Sequence, residues 1–167
     1  AFGMEGTVGD RGLGYFLDGI DGLLYGDSPQ EGYVRGQTFL HGNLAIRFEV
    51  PSGFRIDNKA EAVMATGPND VAIRFDLVDD SSRKPLTDYI ASGWVTGLKP
   101  ETIRSGSVNG MEAATARASA DRWDFDVTVV RNGEKIYRFL TAVPLGRQAE
   151  LVAAASKLRS SFRRMRP

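Results

Sequence analysis

Beyond His41 the chain alternates apolar and polar residues with period two. In "AIRFEVP" Ile46, Phe48 and Val50 fall on one side and Arg47 and Glu49 on the other, as in a strand with one buried face, and Pro51 ends the ladder by removing a backbone donor. "SGF" turns the chain, a short "FRID" run follows, and "AEAVMAT" leads into the turn residues Gly67, Pro68, Asn69 and Asp70. In "VAIRFDLV" Val71, Ile73, Phe75 and Leu77 alternate with Ala72, Arg74 and Asp76, predicting a second strand. Pro85 is placed to open a helix, because its missing amide has no partner in a first turn, and Leu86, Tyr89, Ile90 and Trp94 continue as an apolar stripe towards Gly97. A strand-to-helix crossover is the natural reading.

Four further extended runs follow. Asn109-Gly110 joins "IRSGSV" to "EAATARAS", and Asn132-Gly133 joins "RWDFDVTVV" to "EKIYRFLTAV"; Asn-Gly between extended runs predicts hairpins, since both residues tolerate the positive φ of a type I′ turn. The sheet is therefore expected to be mainly antiparallel. In "KIYRFLTAV" both parities are apolar, with Tyr137 and Phe139 on one and Ile136, Leu140 and Ala142 on the other, so helices are expected on both faces. "GRQAELVAAASKLRSSFRRM" is rich in helix formers, and Leu151, Ala154, Leu158 and Phe162 approximate one face. The fold class is α+β, a twisted antiparallel sheet flanked by helices.

Residues 1–40 differ from the rest. Ten glycines from Gly3 to Gly36 make this the most glycine-dense region, which disfavours regular structure on entropic grounds. Leu17, Ile20 and Leu24 nevertheless stand at helical spacing, with Leu23 beside them, so a short amphipathic helix can form if an apolar surface receives it. Asp18, Asp21, Asp27 and Glu31 make this arm acidic; their separations do not define an acid and base pair, and a solvated or partner-facing surface is expected. The chain divides into an arm or connector, 1–40, and an α+β domain, 41–167.

Composition narrows the function classes. At 167 residues, 42% hydrophobic and 25% charged, the chain suits one domain plus an arm. Lys and Arg number 21 and Asp and Glu 21, so there is no global field to favour nucleic acid. With no cysteine there is no disulfide, thiolate metal site or thiol nucleophile. No apolar run approaches the ~20 residues of a membrane helix, and a soluble chain is expected.

Candidate chemistry is sparse. His41, the single histidine, has no HExxH or paired-His spacing around it, which predicts a structural or solvent-exposed role. Asp79 and Asp80, with Asp76 before them, lack the graded spacing, glycine and final Glu of a calcium loop, which predicts an exposed loop. No serine lies in G-x-S-x-G. The glycines of "GTVGDRGLG" follow no strand and end in no Gly-Lys-Ser/Thr, unlike a phosphate loop. Trp94 and Trp123 fall on apolar parities and are expected in the core. Arg159, Arg163, Arg164 and Arg166 sit near a helix C-terminus, where cations suit the dipole.

The order "LAIRFEVPSGFRIDN", "DVAIRFDLV", "PLTDYIASGW", "SGSVNGMEAATARA", "DFDVTVVRNGEKIYRFLTAV" and a final helix ending "LRSSFRRM" resembles the PsbP-like fold over about residues 41–164. That resemblance implies an α/β/α sandwich. The arm, "YFLDGIDGLLYGDSPQEGYVRGQTFLH", is similar to the segment that follows the catalytic domain in bacterial HtpX-like zinc metallopeptidases. Tyr25, Gly26 and Asp27 match the first part of that pattern, and Gly32, Arg35, Gly36, Phe39 and His41 the second. The resemblance implies a non-catalytic C-terminal accessory domain of a periplasmic or secreted zinc protease. Zinc would belong to an upstream HExxH helix, and no cofactor to this chain. The implied partners are the upstream protease domain, a protein substrate, or a second copy joined through the arm, with Leu17, Ile20, Leu23, Leu24, Asp18, Asp21 and Asp27 as the candidate surface. A free-standing PsbP-like binding protein is the alternative.

Overall fold

The alternating runs pair as the sequence predicts, and they do so in two sheets. The computed structural model describes residues 32–42, 44–59 and 62–165. Strands β1 (Tyr33–Arg35), β2 (Thr38–His41), β3 (Ile46–Glu49) and β11 (Arg163–Arg164) form a small antiparallel sheet in the order β1-β2-β3-β11. Strands β4 (Arg55–Asn58), β5 (Val63–Thr66), β6 (Ala72–Asp79), β7 (Leu98–Val108), β8 (Met111–Ala120), β9 (Trp123–Asn132) and β10 (Lys135–Pro144) form a larger one in the order β4-β5-β6-β10-β9-β8-β7. Every strand pair in it is antiparallel.

Both Asn-Gly steps make hairpins. At the β7–β8 turn Asn109 and Gly110 adopt φ of 47° and 86°, and at β9–β10 Gly133 adopts 65°, the left-handed region that these residues tolerate. Helix α1 (Leu86–Tyr89) starts directly after Pro85 and continues as a π turn over Ile90–Trp94, ended by Gly93 at φ 101°. It carries the chain from β6 across three strands to the far edge, β7. Helix α2 (Gln148–Ser161) buries Leu151, Ala154 and Leu158, and Phe162 just beyond it is fully buried. The expected face is the observed one.

The two helices lie on opposite faces of the large sheet. One face carries Phe75, Tyr137, Phe139 and Val130 and packs against α2 together with Phe39, Ile46 and Phe48 of the small sheet. Rings here interlock: Phe48 and Phe75 lie 4.9 Å apart between centroids, Phe75 and Phe139 4.8 Å, and Phe139 and Phe162 5.2 Å edge-on. Each such ring contributes about 1.5–3 kcal/mol of burial. The other face is lined by Phe125, Val127, Val129, Ile136 and Leu140 and the alanines of β8, and is covered by Leu86 and Ile90 of α1. The molecule is thus richer in sheet than expected. The small sheet shares a layer with α2.

Among the described residues extended structure begins at Tyr33, thirteen residues ahead of Ile46 in the first predicted strand. In β2 Phe39 and His41 are buried while Thr38 and Leu40 are half-buried, so period two is present there as well. Gly36, at φ 59°, makes the turn between β1 and β2, so the glycine that marks this stretch as an arm is in fact a hairpin residue.

Candidate functional site

Charged side chains inside the domain gather in two places, one on each face of the large sheet. On the α1 face, β6 and β10 bring Asp76 and Arg138 opposite each other. The guanidinium forks onto the carboxylate, Nε donating to Oδ1 at 2.7 Å and Nη2 to Oδ2 at 2.6 Å, and Nη1 donates to the Tyr89 hydroxyl at 3.0 Å. Arg74 Nη2 reaches Asp76 Oδ2 at 3.3 Å. The Trp94 ring lies over Arg138, 4.7 Å from Cζ to centroid. Arg138 is 1% exposed. Burial works against its charge, but the hydrogen bonds and field of Asp76 more than offset this and hold the guanidinium above its ordinary value. Two donors here have no partner, Arg74 Nε and Trp94 Nε1.

On the α2 face, β8, β9 and the helix assemble a second network. Asp126 accepts from Arg117 Nε, from Arg159 Nη1 and from Thr128 Oγ1, at 3.0, 3.0 and 3.1 Å. Gln148 bridges, accepting from Arg117 Nη1 at 3.1 Å and donating to Asp124 at 2.8 Å, while Ser119 donates to Asp124 at 2.6 Å. Burial pushes the Asp126 carboxyl above its ordinary value, and the two arginines and Thr128 oppose that rise. A small cavity of about 110 Å³ borders this network, between Lys99, Thr102 and Leu151.

A larger opening, about 670 Å³, lies at the β9–β10 turn and is lined by Leu44, Asp79, Ser81, Asn132, Glu134, Lys135 and Tyr137. It is wide and polar, and its Lys135 is paired to Asp79 at 2.8 Å. Such a surface suits a polar segment of another molecule better than it suits an enclosed reaction.

The sequence-derived candidates take the following places. His41 is buried at 1% exposure, and its Nδ1 accepts the Leu44 amide at 3.2 Å; the only histidine therefore holds a turn. Asp76 is a correction: it is 2% exposed on β6 and carries the network above, because an arginine on the neighbouring strand receives its charge. Asp79 pairs with Lys135, and Asp80 accepts the Ser82 amide at 2.8 Å; the Ser82 hydroxyl first, and then this amide, hold its carboxyl below the ordinary range. Trp123 is core, whereas Trp94 is half-buried over Arg138. Arg159 is bonded into the Asp126 network, while Arg163 and Arg164 are exposed. Leu17, Ile20, Leu23, Leu24, Asp18, Asp21 and Asp27 lie outside the described residues, as do Arg166 and the "GTVGDRGLG" glycines. Among the described residues no group of three or more His, Cys, Asp or Glu side chains is placed to share a metal ion, and no helix is long and apolar enough to cross a membrane.

The Arg138 pair leaves a signal in the sequence. Arg138 stands on the parity of Ile136, Leu140 and Ala142, all buried, and a charge on an apolar parity requires an opposite charge on a neighbouring strand.

The G-x-x-R-G-x-x-F-x-H pattern also has a geometry. A Cβ at Gly32 would collide with the Phe39 ring and lie 2.7 Å from the Leu40 carbonyl oxygen. Gly36 turns the hairpin, Phe39 is fully buried, and His41 receives the Leu44 amide. The pattern spells a hairpin pressed onto the core.

No protein-family profile matches the chain, and no curated protein matches it. Its shape is similar to that of cyanobacterial PsbP (CyanoP) from Synechocystis sp. PCC 6803, with a TM-score of 0.59 and 15% identity over 84% of this chain and 98% of that one. It is equally similar to a crystal structure of a protein from Bacteroides thetaiotaomicron VPI-5482, with a TM-score of 0.59 and 10% identity over 80% of this chain and 50% of the other. The chain thus spans half the length of that protein. At these identities the likeness shows the fold alone, and the fold is PsbP-like.

Proposed function

We propose that the chain is a non-catalytic accessory domain that binds a protein partner, and that it works C-terminal to a zinc metallopeptidase domain, positioning substrate or restraining the protease. The observation that carries the first part is the fate of the buried polar charges. Arg74, Asp76, Asp124, Asp126, Arg138 and His41 are each bonded to groups of the domain itself. General acid or base chemistry needs a group within hydrogen-bond reach of a substrate proton and poised near the working pH. These groups are committed to holding strands and a helix together. What the domain offers to solvent is an open polar groove and strand surfaces, the features of a binding module.

Support for the second part is the residue pattern from Tyr25 to His41, which is similar to the connector of HtpX-like zinc metallopeptidases. Its second half builds the first hairpin of this domain, so a connector of that kind would lead straight into the fold. Zinc would be held upstream, on an HExxH helix.

The coding sequence ahead of Ala1 is the first test. An in-frame HExxH supports the protease reading; a signal peptide ending there instead selects a free-standing PsbP-like binding protein. In the longer polypeptide, removing residues 32–167 should preserve zinc-dependent cleavage of a short peptide and alter cleavage of a protein substrate. Loss of short-peptide cleavage with zinc still bound would mean that this domain supplies a catalytic group.

A further inference from the structure

The outward face of the small sheet is more basic than a chain of zero net charge would lead one to expect. Cross-strand registers place Tyr33 beside Leu40, Arg35 beside Thr38, Leu40 beside Arg47 and Arg47 beside Arg163. These side chains share the face opposite Phe39, Ile46 and Phe48, which are buried. Arg47 pairs with Glu49, and Lys157 with Glu49 at 3.2 Å. Among the described residues neither Arg35 nor Arg163 makes an ion pair at contact distance: Arg35 lies over the exposed Tyr33 ring, and Arg163 donates to the carbonyls of Ser160 and Ser161 while its charge acts on Glu49 from further off. Four cationic side chains thus surround one carboxylate, with half-buried Leu40 and 53%-exposed Tyr33 between them.

The segment entering this sheet has the opposite character. No Lys or Arg occurs between Arg11 and Arg35, whereas Asp18, Asp21, Asp27 and Glu31 do, interleaved with Leu17, Ile20, Leu23 and Leu24. We propose that the outward face of the small sheet is the docking surface for this chain's own acidic segment, residues 17–31, which lies outside the described residues.

Reach permits it. From β1 to β11 is three strand spacings, about 14 Å, and five residues from Gly32 back to Asp27 span up to about 18 Å when extended. Asp27 can therefore meet Arg47 or Arg163 while Glu31 stays near Arg35. The direction of entry is fixed, because Gly32 crosses tightly over Phe39 and its carbonyl accepts from Asn58 Nδ2 at 2.9 Å. A tethered segment also docks at high effective concentration, so modest charge complementarity suffices. The inference holds whether or not a protease domain precedes the arm; where one does, docking would set the direction in which the connector leaves the domain.

The absence of cysteine gives a direct test in the full chain. A Ser28→Cys variant carrying a nitroxide should broaden the amide resonances of Leu40, Arg47 and Arg163 but spare Ser105 and Ser107 on the far edge. Broadening should be strong at about 0.01 M salt and lost at about 1 M, where screening falls from about 30 Å to about 3 Å. It should also be lost in Arg47→Glu/Arg163→Glu. If that double variant unfolds by circular dichroism, Arg35→Glu, on the exposed edge, replaces it and should weaken the broadening. Broadening confined to Gly32–Arg35, or insensitive to both salt and charge reversal, overturns the proposal. So does broadening of an unlabelled-cysteine, isotope-labelled chain mixed with the spin-labelled one, since the occupant would then be a second copy.

Discussion

Removing Asp76 should damage the domain more than removing the arginine that faces it. Asp76 is 2% exposed and is the carboxylate for both Arg138 and Arg74. Asp76→Leu leaves two guanidinium groups in an apolar setting beneath α1, one of them 1% and the other 9% exposed. Breaking a buried pair by deleting one partner costs about 3–5 kcal/mol, because the remaining charge stays buried without compensation. Arg138→Leu is milder. It leaves Asp76 with Arg74 at 3.3 Å, places an apolar side chain among Ile136, Leu140 and Ala142, and removes the most deeply buried cation. A difference of about 2 kcal/mol or more between the two variants is expected, from two stranded charges against none. Urea unfolding followed by circular dichroism reads it as a lower midpoint for Asp76→Leu at unchanged slope; by calorimetry that variant should melt on the order of 10 °C below the parent. Equal losses in the two variants, or losses below about 1 kcal/mol in both, would refute the view that this network is a buried, mutually dependent charge cluster.

Gly97 adopts φ 79°, and a Cβ there would run into the Ser119 carbonyl; Gly97→Ala should cost at least about 1–3 kcal/mol, and an unchanged unfolding midpoint would contradict the β7–β8 geometry. Ser161 Oγ accepts the Glu49 amide at 2.8 Å and donates to the Glu49 carbonyl at 3.1 Å, so Ser161→Ala should cost about 1–3 kcal/mol through two orphaned backbone groups. Two carboxylates should titrate in opposite senses. Lys157 holds Glu49 below its ordinary value, so the stability it contributes is present above the ordinary carboxylate range and lost as pH falls through its lowered pKa. Burial raises Asp126, so its contribution is present at acid pH and lost as pH rises through the raised value. Carboxyl NMR resonances should therefore show Asp126 protonating first on acidification, and the reverse order would contradict both assignments.

Much of the architecture was legible because it rests on local chemistry. The period-two runs, the two Asn-Gly hairpins, Pro85 ahead of α1 and the Leu151, Ala154, Leu158, Phe162 face each encode their element in neighbouring residues. Less legible is what depends on distant pairs. The last strand of the small sheet, Arg163 and Arg164, returns to β3 across more than a hundred residues. The Asp76 and Arg138 pair joins strands far apart in sequence, so Asp76 read as solvent-facing. β1 and β2 were hidden for a different reason: they are three and four residues long, and glycine at a turn looks the same as glycine in a flexible arm. The candidate interaction residues, all between Leu17 and Asp27, lie outside the described residues, while the hairpin that follows them is encoded in the G-x-x-R-G-x-x-F-x-H pattern.

On the proposed reading this domain binds and positions but does no chemistry of its own. Zinc content after dialysis, measured on the purified 167-residue chain together with casein cleavage, tests it most directly. Far less than one zinc per chain and no cleavage are expected, because one histidine, already spent on the Leu44 amide, cannot complete a tight site of three or four protein ligands. One zinc per chain with chelator-sensitive cleavage of casein would contradict it.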